Sequence, residues 1–109
     1  MGQVISGGCG QNPARQALIK AGIPKEAIAM TINKVFGSGL MSVALAAQSI
    51  MLGDAEVIIA GGQENMSLGH HGSCIRAGTK FGTVKLIDHM MYDGLTDVFS
   101  GELMGVTAE

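Results

Sequence analysis

The chain has 109 residues, of which 47% are apolar and 15% charged, with 17 glycines and a formal net charge of −2. This length bounds it to one domain with a modest core, and the composition is too apolar for a disordered chain. The charge gives no reason to expect nucleic acid or an anionic membrane as partner, and no apolar run reaches the roughly 20 residues that span a bilayer.

In chain order, Gln3–Ser6 reads as a short strand ending at Gly7-Gly8. Asn12-Pro13 then opens a helix, because Asn is a good N-cap and Pro suits the first helical position. Ala14–Ala21 continues it, and Gly22 with Pro24 stops it. Met30–Val35 reads as a second strand, followed by the turn Gly37-Ser38-Gly39. A helix from Ser38 to Leu52 follows, closed by Gly53-Asp54; it is apolar nearly all round, as a helix buried on most sides is. Glu56–Ala60 is a continuous apolar run before Gly61-Gly62 and fits a strand buried on both faces of a parallel sheet.

The order strand, helix, strand, helix, strand is that of an open α/β sheet. Ligands of such sheets bind at the carboxyl ends of the strands. NKVFGSG (33–39) and GGQENMS (61–67) both lie there. After Ser67 the pattern loosens into an excursion loop, with a short strand near Val84–Ile87, a short helix within Asp88–Phe99, and a helix beginning at Leu103. So many apolar surfaces on so small a chain predict that further protein covers them.

The glycine loops Gly7-Gly8-Cys9-Gly10 and Gly37-Ser38-Gly39 complete neither a P-loop nor GxGxxG, and read as tight turns. Ser38 is not in a GxSxG elbow, since Phe36 stands where the first glycine belongs. His70, His71 and Cys74 are metal-ligand types without a fourth partner nearby, so polar loop residues are the simpler reading and no metal site is assigned. His89 beside Asp88 is a weak acid/base candidate, because adjacent helical residues do not face each other. Glu64 is placed for general-base work at a strand end, but hydrogen bonding to a neighbouring backbone is favoured. Met66 and Met104 are candidates for ligand contact among otherwise core-filling methionines. Cys9 and Cys74 lack CxxC spacing and are too few for a disulfide framework. With no signal-peptide pattern at the start, the expected setting is cytoplasmic, with free thiols.

Position 36 stands apart. A residue just before the turn that opens a buried helix lies near the N-terminal dipole and free N–H groups, which stabilise an anion and lower a thiol pKa. A cysteine there would be an activated nucleophile. Phe36 has no such chemistry.

The stretch TINKVFGSGLMSVALAAQSIMLGDAEVIIAGGQENMS (31–67) closely resembles the thiolases of the acetyl-CoA acetyltransferase type, which read NKVCGSG, a helix, then GDA-x-V-x-x-AGG-x-ENMS. GQNPARQA at 10–17, DG-L-x-D at 93–97 and MG-x-TAE at 104–109 add to the match. The resemblance covers nearly the whole chain and well under half of a full thiolase, so both ends are expected to be truncations. It implies an α/β fold class: a partial thiolase-like layered fold with a buried helix over 1–66, and part of the inserted loop domain plus the start of a further helix over 67–109. It implies acyl transfer between coenzyme A thioesters, with acyl-CoA as small-molecule partner and no separate cofactor, and a homo-oligomer or a complementary chain as protein partner.

The family's nucleophile falls at Phe36, which cannot form its acyl-enzyme. The activating histidine and second cysteine belong to GHP and CGGG-type motifs, and an oxyanion-hole asparagine to NEAF; none occurs here. In the family's loop domain, the leucine of DGL and the HMG residues contact the pantetheine arm. These positions are Leu95, Leu103 and Met104, with Leu103 at the histidine position. The resemblance therefore implies a fragment inactive by itself.

Overall fold

A computed structural model describes residues 1–109, which divide into two compact units, Met1–Glu64 and Asn65–Glu109. The first unit carries helices α1 (Pro13–Lys20) and α2 (Ser38–Met51). Helix α1 starts as its sequence predicts, with Asn12 Oδ1 accepting from Arg15 N at 3.4 Å and Pro13 at the first helical position. Asn12 also ties the helix to the segment after it. Its Nδ2 donates to Ala29 O at 2.9 Å, and its Oδ1 accepts from the Thr31 hydroxyl at 2.8 Å. The Arg15 guanidinium donates to the Lys25 and Ala27 carbonyls at 2.6 and 2.7 Å.

Both helices end in the same way. Gly22 at φ 77° and Gly53 at φ 81° take the left-handed conformation. Ile23 N reaches Leu18 O at 3.2 Å, and Asp54 N reaches Ser49 O at 3.0 Å. These are Schellman closures, which use carbonyls the helix leaves free.

The predicted strands shrink to single rungs. Gly2 forms parallel bridges with Ile32 on one side and Gly62 on the other, giving the spatial order 32, 2, 62. The rungs are Ile32 N to Met1 O at 2.9 Å, Gln3 N to Ile32 O at 3.0 Å, Gly2 N to Gly61 O at 2.8 Å and Gln63 N to Gly2 O at 2.9 Å. The ladder stops because its next donors are taken: the Glu64 carboxylate accepts from Val4 N at 2.8 Å and Ile5 N at 3.0 Å. On the other side, Val35 turns to φ 44° and leaves the extended conformation.

The apolar faces of EVIIA and α2, for which cover by further protein is expected, stand open in this chain. Val57 and Ile59 are 84% and 74% exposed. Helix α2 buries only Ser38 and Ser42, while Leu40 is 80% exposed. No further layer of the Met1–Glu64 unit lies over those faces.

In the second unit, a 3-10 turn (Met66–Leu68) is capped by Asn65 Oδ1, which accepts from Leu68 N at 3.2 Å. Strands β1 (His71–Gly72) and β2 (Ile87–Asp88) pair antiparallel, His71 opposite Asp88. The strand predicted near 84–87 thus survives only at its end. The helix predicted within 88–99 is a π-helical turn (Met91–Leu95) around buried Gly94. An antiparallel bridge joins Thr96 to Leu103, and helix α3 (Met104–Thr107) follows where a helix start is predicted. No helix is long and apolar enough to cross a membrane.

Candidate functional site

Residue 36 sits on a turn built by its neighbours' side chains. Asn33 Oδ1 accepts from Val35 N at 2.9 Å. The buried Ser38 hydroxyl accepts from Lys34 N at 2.8 Å and donates to Val35 O at 2.7 Å. Gly37 N donates to Lys34 O at 2.9 Å. These bonds hold Val35 at φ 44°, a conformation that is a genuine outlier for a β-branched side chain. Strain of this kind persists only where surrounding contacts over-determine it, and it clusters at functional sites.

The strained turn presents residue 36 immediately before Gly37, the N-cap of α2. The first N–H groups of a helix have no intrahelical partner and carry its positive end. Phe36 itself is 64% exposed. The geometry suits a reactive atom; the side chain supplies none.

Close backbone approach fixes where α2 begins. A Cβ on Gly2 would lie 2.4 Å from the Ser38 carbonyl carbon and 2.6 Å from Gly39 N. A Cβ on Gly62 would lie 3.3 Å from Gly39 Cα. One turn further on, buried Ser42 accepts from Gly61 N at 3.0 Å, with its hydroxyl 2.8 Å from Gly61 O. Ser42→Ala is expected to strand that N–H and to cost about 1–3 kcal/mol, read from the urea midpoint. An unchanged midpoint would remove the hydroxyl from the account.

Glu64 is the structural residue its favoured reading predicts. Both carboxylate oxygens hold backbone N–H groups of Val4 and Ile5, which leaves it committed to holding the chain rather than to taking a substrate proton.

In the second unit, an isolated antiparallel bridge joins Thr96 to Leu103, so the chain segments that carry Leu95, Leu103 and Met104 meet at one end of a closed loop. Leu95 and Met104 are half-buried and Leu103 is exposed. The loop is closed by Asp97, whose N–H donates to Glu102 O at 2.8 Å. Its carboxylate accepts from Phe99 N at 3.1 Å and from the Ser100 hydroxyl at 2.8 Å. The Phe99 N–H bond, and then the Ser100 hydroxyl, lower the Asp97 pKa below its ordinary value. A depressed carboxyl pKa stabilises the folded loop above the ordinary aspartate range, and this contribution is lost as pH falls through the lowered value. The Phe99 amide resonance is therefore expected to hold its position down to that range and to move only below it; movement at higher pH would contradict the loop geometry.

The histidines pair differently from the sequence reading. His89 Nδ1 lies 2.7 Å from Asp93 Oδ2, one helical turn away, and His71 Nε2 lies 3.7 Å from Asp88 Oδ2. The sequence signal for the first pair is the i,i+4 spacing of His89 and Asp93, not the adjacency of Asp88. His70, His71 and Cys74 do not join any group of side chains able to hold a metal ion. Cys9 and Cys74 are exposed free thiols.

Comparison with known proteins places this geometry. The family profile described as "Thiolase, N-terminal domain" matches residues 1–109. An acetyl-CoA acetyltransferase of Cupriavidus necator is 60% identical over 112 residues, covering 100% of this chain and 28% of the relative. A cytosolic acetyl-CoA acetyltransferase of Rattus norvegicus is 51% identical over 108 residues, covering 99% of this chain and 27% of that protein. The crystal structure of a thiolase from Ascaris suum in complex with coenzyme A superposes with a TM-score of 0.91 at 39% identity, over 98% of this chain and 28% of that one. The chain thus spans a little over a quarter of the length of the relatives it matches.

Proposed function

The chain belongs to the thiolase family through its N-terminal domain, and from that membership we propose that it is a coenzyme A thioester-binding scaffold of the acetyl-CoA acetyltransferase type that keeps the nucleophile's place without the nucleophile. The observation that carries this is Phe36 on a strained turn stapled by Asn33 and Ser38 at the head of α2. An acyl-enzyme forms when a sulfur attacks the thioester carbonyl, expels coenzyme A as leaving group, and is later displaced in turn. The carbon of a phenylalanine ring does neither.

What remains is binding. Leu95, Leu103 and Met104 supply an apolar end of a closed loop suited to a pantetheine arm, with the polar contact at position 103 lost. The 109-residue chain is expected to show no thiolysis of acetoacetyl-CoA above a blank, and Phe36→Cys is not expected to restore it, because the activating histidine and second cysteine motifs are absent from this sequence. Turnover above the blank by either form would sink the proposal.

A second reading has its own observation. Val57, Ile59 and Leu40 expose apolar surface that water disfavours. This favours assembly, either with a second copy or with a chain that supplies NEAF, GHP and CGGG motifs as the other part of a split thiolase. Light scattering after size exclusion decides; a compact monomer speaks against it.

A further inference from the structure

The π-helical turn that leads into Leu95 is held by side chains whose arrangement the family resemblance does not call on. π-Turns are rare, appear singly, and are concentrated at functional sites. Here each end of the turn is tied. Asp88 Oδ1 accepts from Met90 N at 2.9 Å where it begins. The Thr96 hydroxyl donates to Met91 O at 2.8 Å where it closes. Between them, His89 Nδ1 and Asp93 Oδ2 stand 2.7 Å apart across one face of the turn.

His89 is also seated against the strand pair. Its backbone N–H donates to His70 O at 3.0 Å, extending the ladder of β1 and β2 by one bond. Its ring lies over Gly72: a Cβ at that position would stand 2.7 Å from Nε2 and 3.4 Å from Cδ2. A real Cβ never comes so close to a heavy atom, so any side chain at 72 would move the imidazole. The connection runs from Gly72 through His89 to Asp93, then along the turn to Leu95, Thr96 and the bridge to Leu103.

We propose that the His89–Asp93 pair, seated on Gly72, is a positioning latch that fixes the pitch of the π-turn and thereby sets Leu95 against Leu103 and Met104 for the pantetheine arm. The proposal rests on the binding reading given above. Neither residue touches the ligand. They act by holding the backbone from which the apolar contacts project, and the ring's place over Gly72 gives that backbone a fixed reference.

The test uses the full chain with Asp93→Asn, Asp93→Glu and Gly72→Ala. The last displaces the imidazole while leaving the His–Asp chemistry intact, so it guards against an effect of charge alone. Amide resonances are followed by NMR, and affinity is measured for coenzyme A and for 3′-phosphoadenosine diphosphate, which lacks the arm. Asp93→Asn and Gly72→Ala are expected to move the amides of Leu95, Thr96, Leu103 and Met104. They are expected to weaken coenzyme A about tenfold, by moving the apolar contacts for its arm, and to leave the nucleotide's affinity unchanged. Asp93→Glu is expected to recover part of the loss. Shifts confined to residues 89–93 with unaltered coenzyme A affinity overturn the latch. If the unmodified chain binds no coenzyme A while the amides from 95 to 104 still move, the binding reading fails and the pair is a fold contact only. Equal weakening of both ligands likewise overturns an arm-specific role.

Discussion

Gly2→Ala is expected to unfold the Met1–Glu64 unit. The added methyl group would meet backbone, 2.4 Å from the Ser38 carbonyl carbon and 2.6 Å from Gly39 N, so no rotamer change relieves it. Relief requires moving α2 away from Gly2, and Gly2 is the residue that bridges both Ile32 and Gly62. Overpacking of a well-filled site costs about 1–3 kcal/mol and more where backbone must shift. Domains of ordinary stability hold only about 5–15 kcal/mol in reserve. This unit has little apolar core to draw on, with Ile5 and Ala14 its buried hydrophobic residues. The control is Gly7→Ala, where a Cβ would meet nothing within 4 Å. Urea unfolding and amide dispersion should separate the two variants clearly. If Gly2→Ala is as stable as Gly7→Ala, the close approach of α2 to residue 2 is not part of the fold.

The second large effect is expected from Phe36→Cys, read as thiol reactivity rather than turnover. The new thiol would stand at the positive end of a 14-residue helix, on a turn already stapled by the Ser38 hydroxyl. Helix N-termini lower thiol pKa and raise the thiolate fraction at neutral pH. Alkylation of the peptide carrying position 36 is expected to run about tenfold faster than that of the exposed Cys74. Adding Ser38→Ala releases Val35 from its strained turn and should erase most of the advantage. A thiol at 36 that reacts no faster than Cys74 would mean that the turn has lost the electrostatics along with the sulfur.

Much of this was legible in the residues because it rests on local chemistry. Asn12-Pro13 and Gly22 fixed both ends of α1, and Gly53 closed α2, since caps and left-handed closures are set by a few adjacent residues. The NKVFGSG turn was legible as a site by position and by resemblance. Its strain was not: Val35 is an ordinary strand former, and its positive φ follows from hydrogen bonds to Asn33 and Ser38 that no propensity encodes. The strands were read too long for a similar reason. Val4 and Ile5 have the pattern of a strand, but the N–H groups a ladder would use bind Glu64, a residue 60 and 59 positions away. The apolar runs of α2 and EVIIA were read as faces that further protein covers, and within this chain those faces stand open. In the second unit, scattered glycines hid both the π-turn and the pairing of His89 with Asp93, each of which depends on contacts around Gly72 and Thr96.

Under the proposed function, the thiolase scaffold persists here without the ability to carry an acyl group. The direct measurement is peptide mapping of the unmodified chain after incubation with acetoacetyl-CoA and coenzyme A, with hydroxylamine used to identify thioesters. The expected result is no hydroxylamine-labile acetyl group on the protein and no acetyl-CoA formed above the blank. An acetyl thioester on Cys9 or Cys74 that coenzyme A then discharges would contradict it, by showing that another sulfur has taken over the work of the one missing at position 36.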